Sequence, residues 1–351
     1  LESNTTASYN TAVGSRSLED NSTGAENTAV GYFSLAANTT GTRNVAIGAL
    51  AGDANTDGDD GTFIGYAAGG ANTTADDNVA VGNFAFDANT TGANNTAIGR
   101  SSLSANTTAA NNTAVGYASS LANTTGTQNT AVGSLALYSN TTASNNTAVG
   151  YLSLHANTTG ADNNAFGSGA LDANTTAGDN NAFGTNALGV NTTGTANTAM
   201  GHVALDANTT GVNNTAIGRA ALSSNTTANN NTAVGKDALL VNTTGANNIA
   251  VGVLSMDANT TANNNVAVGY GTLGANTTGT LNTALGHQVL EKNTTADNNI
   301  AVGGNALFKN TTGTRNTAVG ALSLDKNTTG SYSTALGYGT LSSQTATGDA
   351  Y

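Results

Sequence analysis

Glycines fall at an unbroken step of 17 residues, at Gly14, Gly31, Gly48, Gly65 and onward to Gly337, and their surroundings repeat at the same step without insertion or deletion. A fixed short period admits few architectures, because each repeat must be one supersecondary unit that buries its apolar side against the units before and after it. A chain of this kind has no obvious place for a unique catalytic constellation. No enzymatic activity is therefore expected.

One repeat runs from Tyr32 to Gly48, and its positions define columns 1 to 17. Column 17 is Gly. Column 16 is Val or Ile, with Phe166, Phe183, Met200, Leu285 and Leu336 as larger variants, and column 14 carries Thr, Val or Ile in most repeats (Thr28, Val45, Ile300). Two β-branched columns two residues apart have the period of a strand. Column 16 reads as a core position, and column 4, mostly Leu (Leu18, Leu35, Leu103), as a second apolar anchor after the glycine bend. A helix is excluded: Gly, Asn and Thr dominate each unit and no apolar stripe of helical period runs through it. Short strands joined by Asn-Thr-Thr-Gly and Gly-Tyr corners fit, since Asn and Gly tolerate left-handed turns. The expected fold is all-β, a parallel β-solenoid (β-roll) of 17-residue coils, about twenty in number, continuous over 1–343. Residues 344–351, with Gln344-Thr-Ala-Thr-Gly348, read as a degenerate last repeat or the end of the solenoid.

Equal coils stack like on like. Column 13 is Asn from Asn10 to Asn316, with Gly61 and Ser333 as exceptions, and column 7 is Asn from Asn4 to Asn327. Stacked asparagines can hydrogen-bond along the axis as ladders. Column 15 is Ala in every repeat but one, where Phe63 replaces it. Its side chain must point to the face opposite columns 14 and 16. With column 16 taken as core, the Ala face is an outer one, and its lack of Thr, Lys or Glu predicts close packing against another chain. A parallel homotrimer is the expected arrangement, and Ala148→Lys is expected to dissociate it. The alternative is a flat single-chain solenoid lined by Ala.

Asn44-Val-Ala-Ile-Gly48, Asn78-Val-Ala-Val-Gly82 and Asn265-Val-Ala-Val-Gly269 resemble the head repeats of trimeric autotransporter adhesins. The longer unit Asn146-Thr-Ala-Val-Gly-Tyr-Leu-Ser-Leu-His-Ala-Asn-Thr-Thr-Gly160 is similar to repeats of phage and other viral tail-fibre proteins. The resemblance spans essentially the whole chain. It implies a left-handed β-roll, usually trimeric, serving as an adhesive or spacer shaft, with a cell-surface glycan or protein as a candidate receptor. The adhesin-head repeat is shorter than this one, lacking the full Asn-Thr-Thr corner.

Composition fits an extracellular, cell-surface or virion location. There is no Cys, Pro or Trp, 9% of residues are charged, and the net charge is −12. Nucleic acid and anionic membrane surfaces are poor partners for such a chain, and no apolar run approaches the ~20 residues of a membrane-spanning helix. The chain opens on Leu1 in mid-repeat, as a processed product or part of something longer would. Uncapped coils also admit a second reading, a self-polymerising and glycosylated filament built by head-to-tail stacking of single-chain solenoids.

The commonest chemical motif is Asn-x-Thr. Candidate glycosylation sites are Asn4, Asn21, Asn38, Asn72, Asn89, Asn106, Asn123, Asn140, Asn157, Asn174, Asn191, Asn208, Asn225, Asn242, Asn259, Asn276, Asn293, Asn310 and Asn327, with a second set at Asn94, Asn111, Asn145, Asn213 and Asn230. Acceptor sites require exposed turns; the competing reading is that Asn and Thr are simply the turn and ladder residues. Thr hydroxyls of columns 8 and 9 are candidates for O-linked sugar. Ice binding is disfavoured, because those Thr are consecutive and lie at a corner. His155, His202 and His287 read as scattered surface residues without partners, and Asp53 to Gly61 as a solvated acidic corner lacking the Glu and spacing of an EF-hand. Tyr32, Tyr66, Tyr117, Tyr151, Tyr270 and Tyr338 share column 1, either packing over the glycine bend or forming a carbohydrate-binding stripe. No catalytic residue, cofactor or metal site is expected.

Overall fold

The computed structural model describes residues 2–343; the proposed end of the solenoid at 344–351 lies outside the described residues. The protein is an all-β parallel solenoid of 17-residue coils, each with one three-residue strand. Two compact units divide it, Leu1–Gly178 and Asp179–Tyr351. The first holds β1 (Thr11–Val13) to β10 (Asn164–Phe166), the second β11 (Asn181–Phe183) to β20 (Thr334–Leu336), one strand every 17 residues. None of the described residues is helical, so no helix is long and apolar enough to cross a membrane.

Within each unit the register is like on like. Thr28, Ala29 and Val30 of one strand pair with Val45, Ala46 and Ile47 of the next, and the same holds for Thr215, Ala216 and Ile217 against Thr232, Ala233 and Val234. Thr28 N donates to Asn44 O at 2.8 Å, and Gly48 N to Val30 O at 2.8 Å. Corners bond between coils as well: Leu35 N donates to Ala51 O, and Thr39 N to Thr56 O. Each coil therefore satisfies its backbone against its neighbours along most of its path, and a 17-residue unit needs no long strand to do so.

The strands stop at three residues because the chain turns left at four columns. Column 17 has φ between +118° and +144°, and a Cβ on Gly31 would lie 2.4 Å from Gly48 O. Only glycine fits there. Columns 2, 4 and 12 also have positive φ, although they carry ordinary residues such as Phe33 (55°), Leu35 (46°) and Arg43 (56°). A left-handed conformation is hardest for β-branched side chains. This explains why column 4 holds Leu, Met, Phe, Ser or Gly and never the Val and Ile abundant elsewhere.

The two faces of the strand are reversed from the sequence reading. Column 15 points inward: Ala29, Ala46, Ala97 and Ala148 are 0% exposed, and the first three pack with Leu18, Leu35 and Leu103 of column 4 in one core. Columns 14 and 16 point outward, where Ile47 is 41% and Phe166 37% exposed. The alternation was right and its sign was not. A coil this short is thin, and a leucine facing the strand from the opposite wall leaves depth for little more than a methyl group. Alanine is thus fixed by internal thickness, which removes the argument for a homotrimer through column 15. Ala148→Lys would place a charge in the core instead of splitting an interface.

Two asparagine ladders fill the rest of the interior. In column 7, Asn38 Nδ2 donates to Asn21 Oδ1 (2.8 Å) and to Gly41 O (2.9 Å). In column 13, Asn27 Oδ1 accepts from Asn44 N (2.9 Å), while Asn27 Nδ2 donates to Gly41 O (2.8 Å). Both ladders converge on one carbonyl per coil. The second unit repeats this, with Asn208 Nδ2 bonded to Asn191 Oδ1 and Gly211 O, and Asn197 Nδ2 to the same Gly211 O. Buried amides so satisfied avoid a penalty of about 1–3 kcal/mol each.

Candidate functional site

The candidate site is the outer face of the strands. Its two columns are Thr, Val, Ile or Asn at column 14 and Val, Ile, Leu, Met or Phe at column 16. The chain holds 9 basic and 21 acidic residues, yet none stands at either outward position of any of the twenty strands. Among the described residues the charges lie in columns 1, 2, 5, 6, 9, 11 and 12, which include both flanks of the face. On one flank Arg43 ties Asp60 of the next coil, Nε to Oδ1 at 2.6 Å; on the other Arg219 meets Asp237 at 3.2 Å. The face is thus an apolar column 16 beside a column 14 that is Thr or Asn on fifteen of the twenty strands, with charged columns on each side.

Burial separates the two sets of candidate sugar-acceptor asparagines. From Asn21 to Asn327 the column 7 amides are 0% exposed, and the ladder takes both Nδ2 hydrogens, as at Asn157 with Asn140 Oδ1 and Gly160 O. In the folded coil they offer no hydrogen to replace and no room for a sugar. Asn4, in the first coil, is the exposed member of this set. Asn94, Asn111, Asn145, Asn213 and Asn230 belong to column 12 and are exposed, so acceptor geometry survives there. Of the threonines, column 8 spends its hydroxyl on the next coil, Thr39 Oγ1 donating to Thr56 O at 3.0 Å, while column 9 stands exposed from Thr40 onward.

The remaining candidates form no reaction centre. His155 lies 3.6 Å from Asp172 and stacks on Tyr138, and His287 stacks on Tyr270; both have partners that the sequence did not reveal. In the acidic corner, Asp59 Oδ1 accepts from Thr42 N (2.6 Å) and Thr42 Oγ1 (2.9 Å), Asp60 pairs with Arg43, and Asp57 accepts from Thr56. Among the described residues no three His, Asp or Glu gather to hold a metal. The column 1 tyrosines stand at the surface, Tyr32 at 55% exposed, with edge contacts such as Tyr32 to Phe33.

Column 5 shows an arrangement the sequence reading missed. Each of its glycines sits between two acids one coil away: Gly70 between Asp53 and Asp87, Gly189 between Asp172 and Asp206, Gly274 between Asp257 and Glu291. A carboxylate oxygen leans over the glycine in each case, with Asp53 Oδ1 3.3 Å from where a Gly70 Cβ would be. Burial pushes the carboxyls of Asp53, Asp87, Asp172, Asp206 and Asp257 above the usual range. The glycine spacer lets a carboxylate fold down onto the coil while keeping like charges two coils apart.

No protein-family model matches the chain, and no curated protein matches it.

Proposed function

We propose that the chain is a structural, non-enzymatic shaft, part of an extracellular fibre of the adhesive or viral tail-fibre kind that holds other elements at a distance. The observation that carries this reading is the uninterrupted register. Every coil has one length, and backbone bonds and two buried asparagine ladders run from coil to coil within each unit. Repeats coupled only to their neighbours make a stiff, extensible element whose length follows the number of coils. The buried asparagine amides are spent on that coupling. The exposed Tyr and Thr columns supply the surface through which a fibre could touch a glycan or protein receptor.

Immunogold labelling of the producing cells or particles tests the reading. Label on thin projections outside the envelope is the expected result; label confined to the interior would overturn it.

A further inference from the structure

We infer that the outer strand face of the first unit binds ice, holding a layer of ordered water on a row of threonine hydroxyls beside a row of aliphatic methyl groups. The threonines concerned are those of column 14. The corner threonines are a different set: they are consecutive, and column 8 gives its hydroxyl to the next coil, as at Thr39. Column 14 keeps its hydroxyls. Among the described residues no hydrogen bond engages Oγ1 of Thr28, Thr96, Thr113, Thr130 or Thr147, and none of these oxygens is a buried orphan, so each opens onto solvent.

The row is regular in shape as well as in chemistry. From β1 (Thr11–Val13) to β9 (Thr147–Val149) both outward positions of every strand are β-branched, Thr or Val in column 14 and Val or Ile in column 16. Such side chains are stiff at χ1, and Val45 and Val79 keep the shape of the threonines they stand among. Direct register sets hydroxyl after hydroxyl at ~4.8 Å along the axis, as in the four successive strands from Thr96 to Thr147. That interval lies within a few tenths of an ångström of the oxygen repeat along the basal axes of ice. The run ends at β10 (Asn164–Phe166). In the second unit the longest one covers only β13 (Thr215–Ile217) to β16 (Val266–Val268), where Ile249 and Val266 take the place of two threonines.

The exclusion of charge has a direct reason on such a face. An ionised side chain orients water radially around itself, an arrangement that no lattice continues, and none of the twenty strands carries a charge at either outward position. Methyl groups cage the water they touch, and hydroxyls fix where each molecule sits. Water held in that way is already part-way to the crystal. The occupant is the crystal surface and not a second protein, because alternate hydroxyl and methyl rows offer neither a continuous apolar strip nor charges to pair. This activity is additional to the shaft reading and does not rest on it.

Nanolitre osmometry on the full chain tests the inference, with its mass followed by sedimentation in the same buffer. The expected result is a gap between melting and freezing points and faceted ice crystals. The pair Thr113→Lys, Thr130→Lys should abolish both. Thr108→Lys, Thr125→Lys on the exposed column 9 ridge adds the same charge off the face and should leave both intact. Circular dichroism and guanidinium unfolding check that the two variants fold as the parent does. Round crystals and no gap from the unmodified chain overturn the inference, as do equal losses from the two pairs. So does an assembly of copies that the face lysines dissociate, since the face would then lie against protein. Each of these outcomes leaves the shaft reading standing.

Discussion

The coil that contains Phe63 and the coil that contains Ala148 solve one packing problem in two ways. Around Ala148 a small strand residue faces the column 4 leucines, exemplified by Leu154, and column 13 contributes a buried asparagine. Around Phe63 the leucine positions of two successive coils are Gly52 and Gly69, and the asparagine is Gly61. The phenylalanine ring takes the vacated space. A Cβ on Gly69 would lie 2.2 Å from its Cδ1, one on Gly52 2.7 Å from its Cδ2, and one on Gly61 2.6 Å from its Cε2. Four departures from the repeat are thus one event, an exchange of volume across the core. The outer residues of the same strand, Thr62 and Ile64, do not depart at all. The interior obeys a volume rule that several residue sets satisfy, and the exterior obeys a separate rule against charge.

The largest effect should come from breaking the interior rule with charge. Ala148→Lys buries an unpaired ammonium in a space built for a methyl group and should cost about 5 kcal/mol, whereas Val149→Lys, one residue on and facing outward, should change the stability of the single chain by less than about 0.5 kcal/mol. Guanidinium unfolding of the two variants measures the contrast, and equal losses would mean that both residues lie inside.

Phe63→Ala empties a space meant for two leucines and should cost about 4 kcal/mol. Adding Gly52→Leu, Gly61→Asn and Gly69→Leu restores the common repeat and should recover most of that loss. Failure to recover would show that the four positions are not coupled through volume.

Asn208→Ala cuts a ladder in both directions, removing its bonds to Asn191 and Gly211 and leaving Asn225 Nδ2 with Ala228 O alone of its two acceptors. A loss of about 2 kcal/mol is expected, visible as faster amide hydrogen exchange in the coils on either side.

The smallest effect concerns pH. The raised carboxyls of column 5 bind protons more tightly in the folded chain than in the unfolded one. Their contribution to stability is therefore complete below the unfolded pKa, near ~4, and is lost as pH rises through the folded value. Asp87→Asn should raise the melting temperature at neutral pH by about a degree and leave it unchanged in acid. A larger gain in acid than at neutrality would reverse the sign assigned to this group.

Coil length, strand location and both asparagine ladders were legible in the sequence, because each depends only on strict periodicity. The direction of column 15 was not. Alternation dictates that Ala148 opposes Thr147 and Val149, but which side is interior depends on the depth left by Leu154, a distance between residues that periodicity does not encode. The left-handed turns at columns 2 and 4 were hidden for a related reason, since residues such as Phe33 and Leu35 occupy places where glycine or asparagine would have signalled them. The charge-free columns were visible from the start as an absence, and only the structure places them on the outside of the strand. Burial of the column 7 ladder, which spends both Nδ2 hydrogens of Asn157, leaves acceptor geometry to exposed column 12 residues such as Asn145. Passing the chain through a host that N-glycosylates secreted proteins, then treating it with an endoglycosidase and mapping the scars, should find modification at column 12 and none at the buried column 7 positions.

The asparagine ladders carry one more consequence, which concerns heredity. Each coil presents the same amide and the same carbonyl to the coil after it, so a coil copied or lost in whole meets the partner it already had. Duplication or loss of a whole coil, normally ruinous to a globular domain, becomes here a change of length that, away from the coils coupled through Phe63, no other residue needs to accommodate.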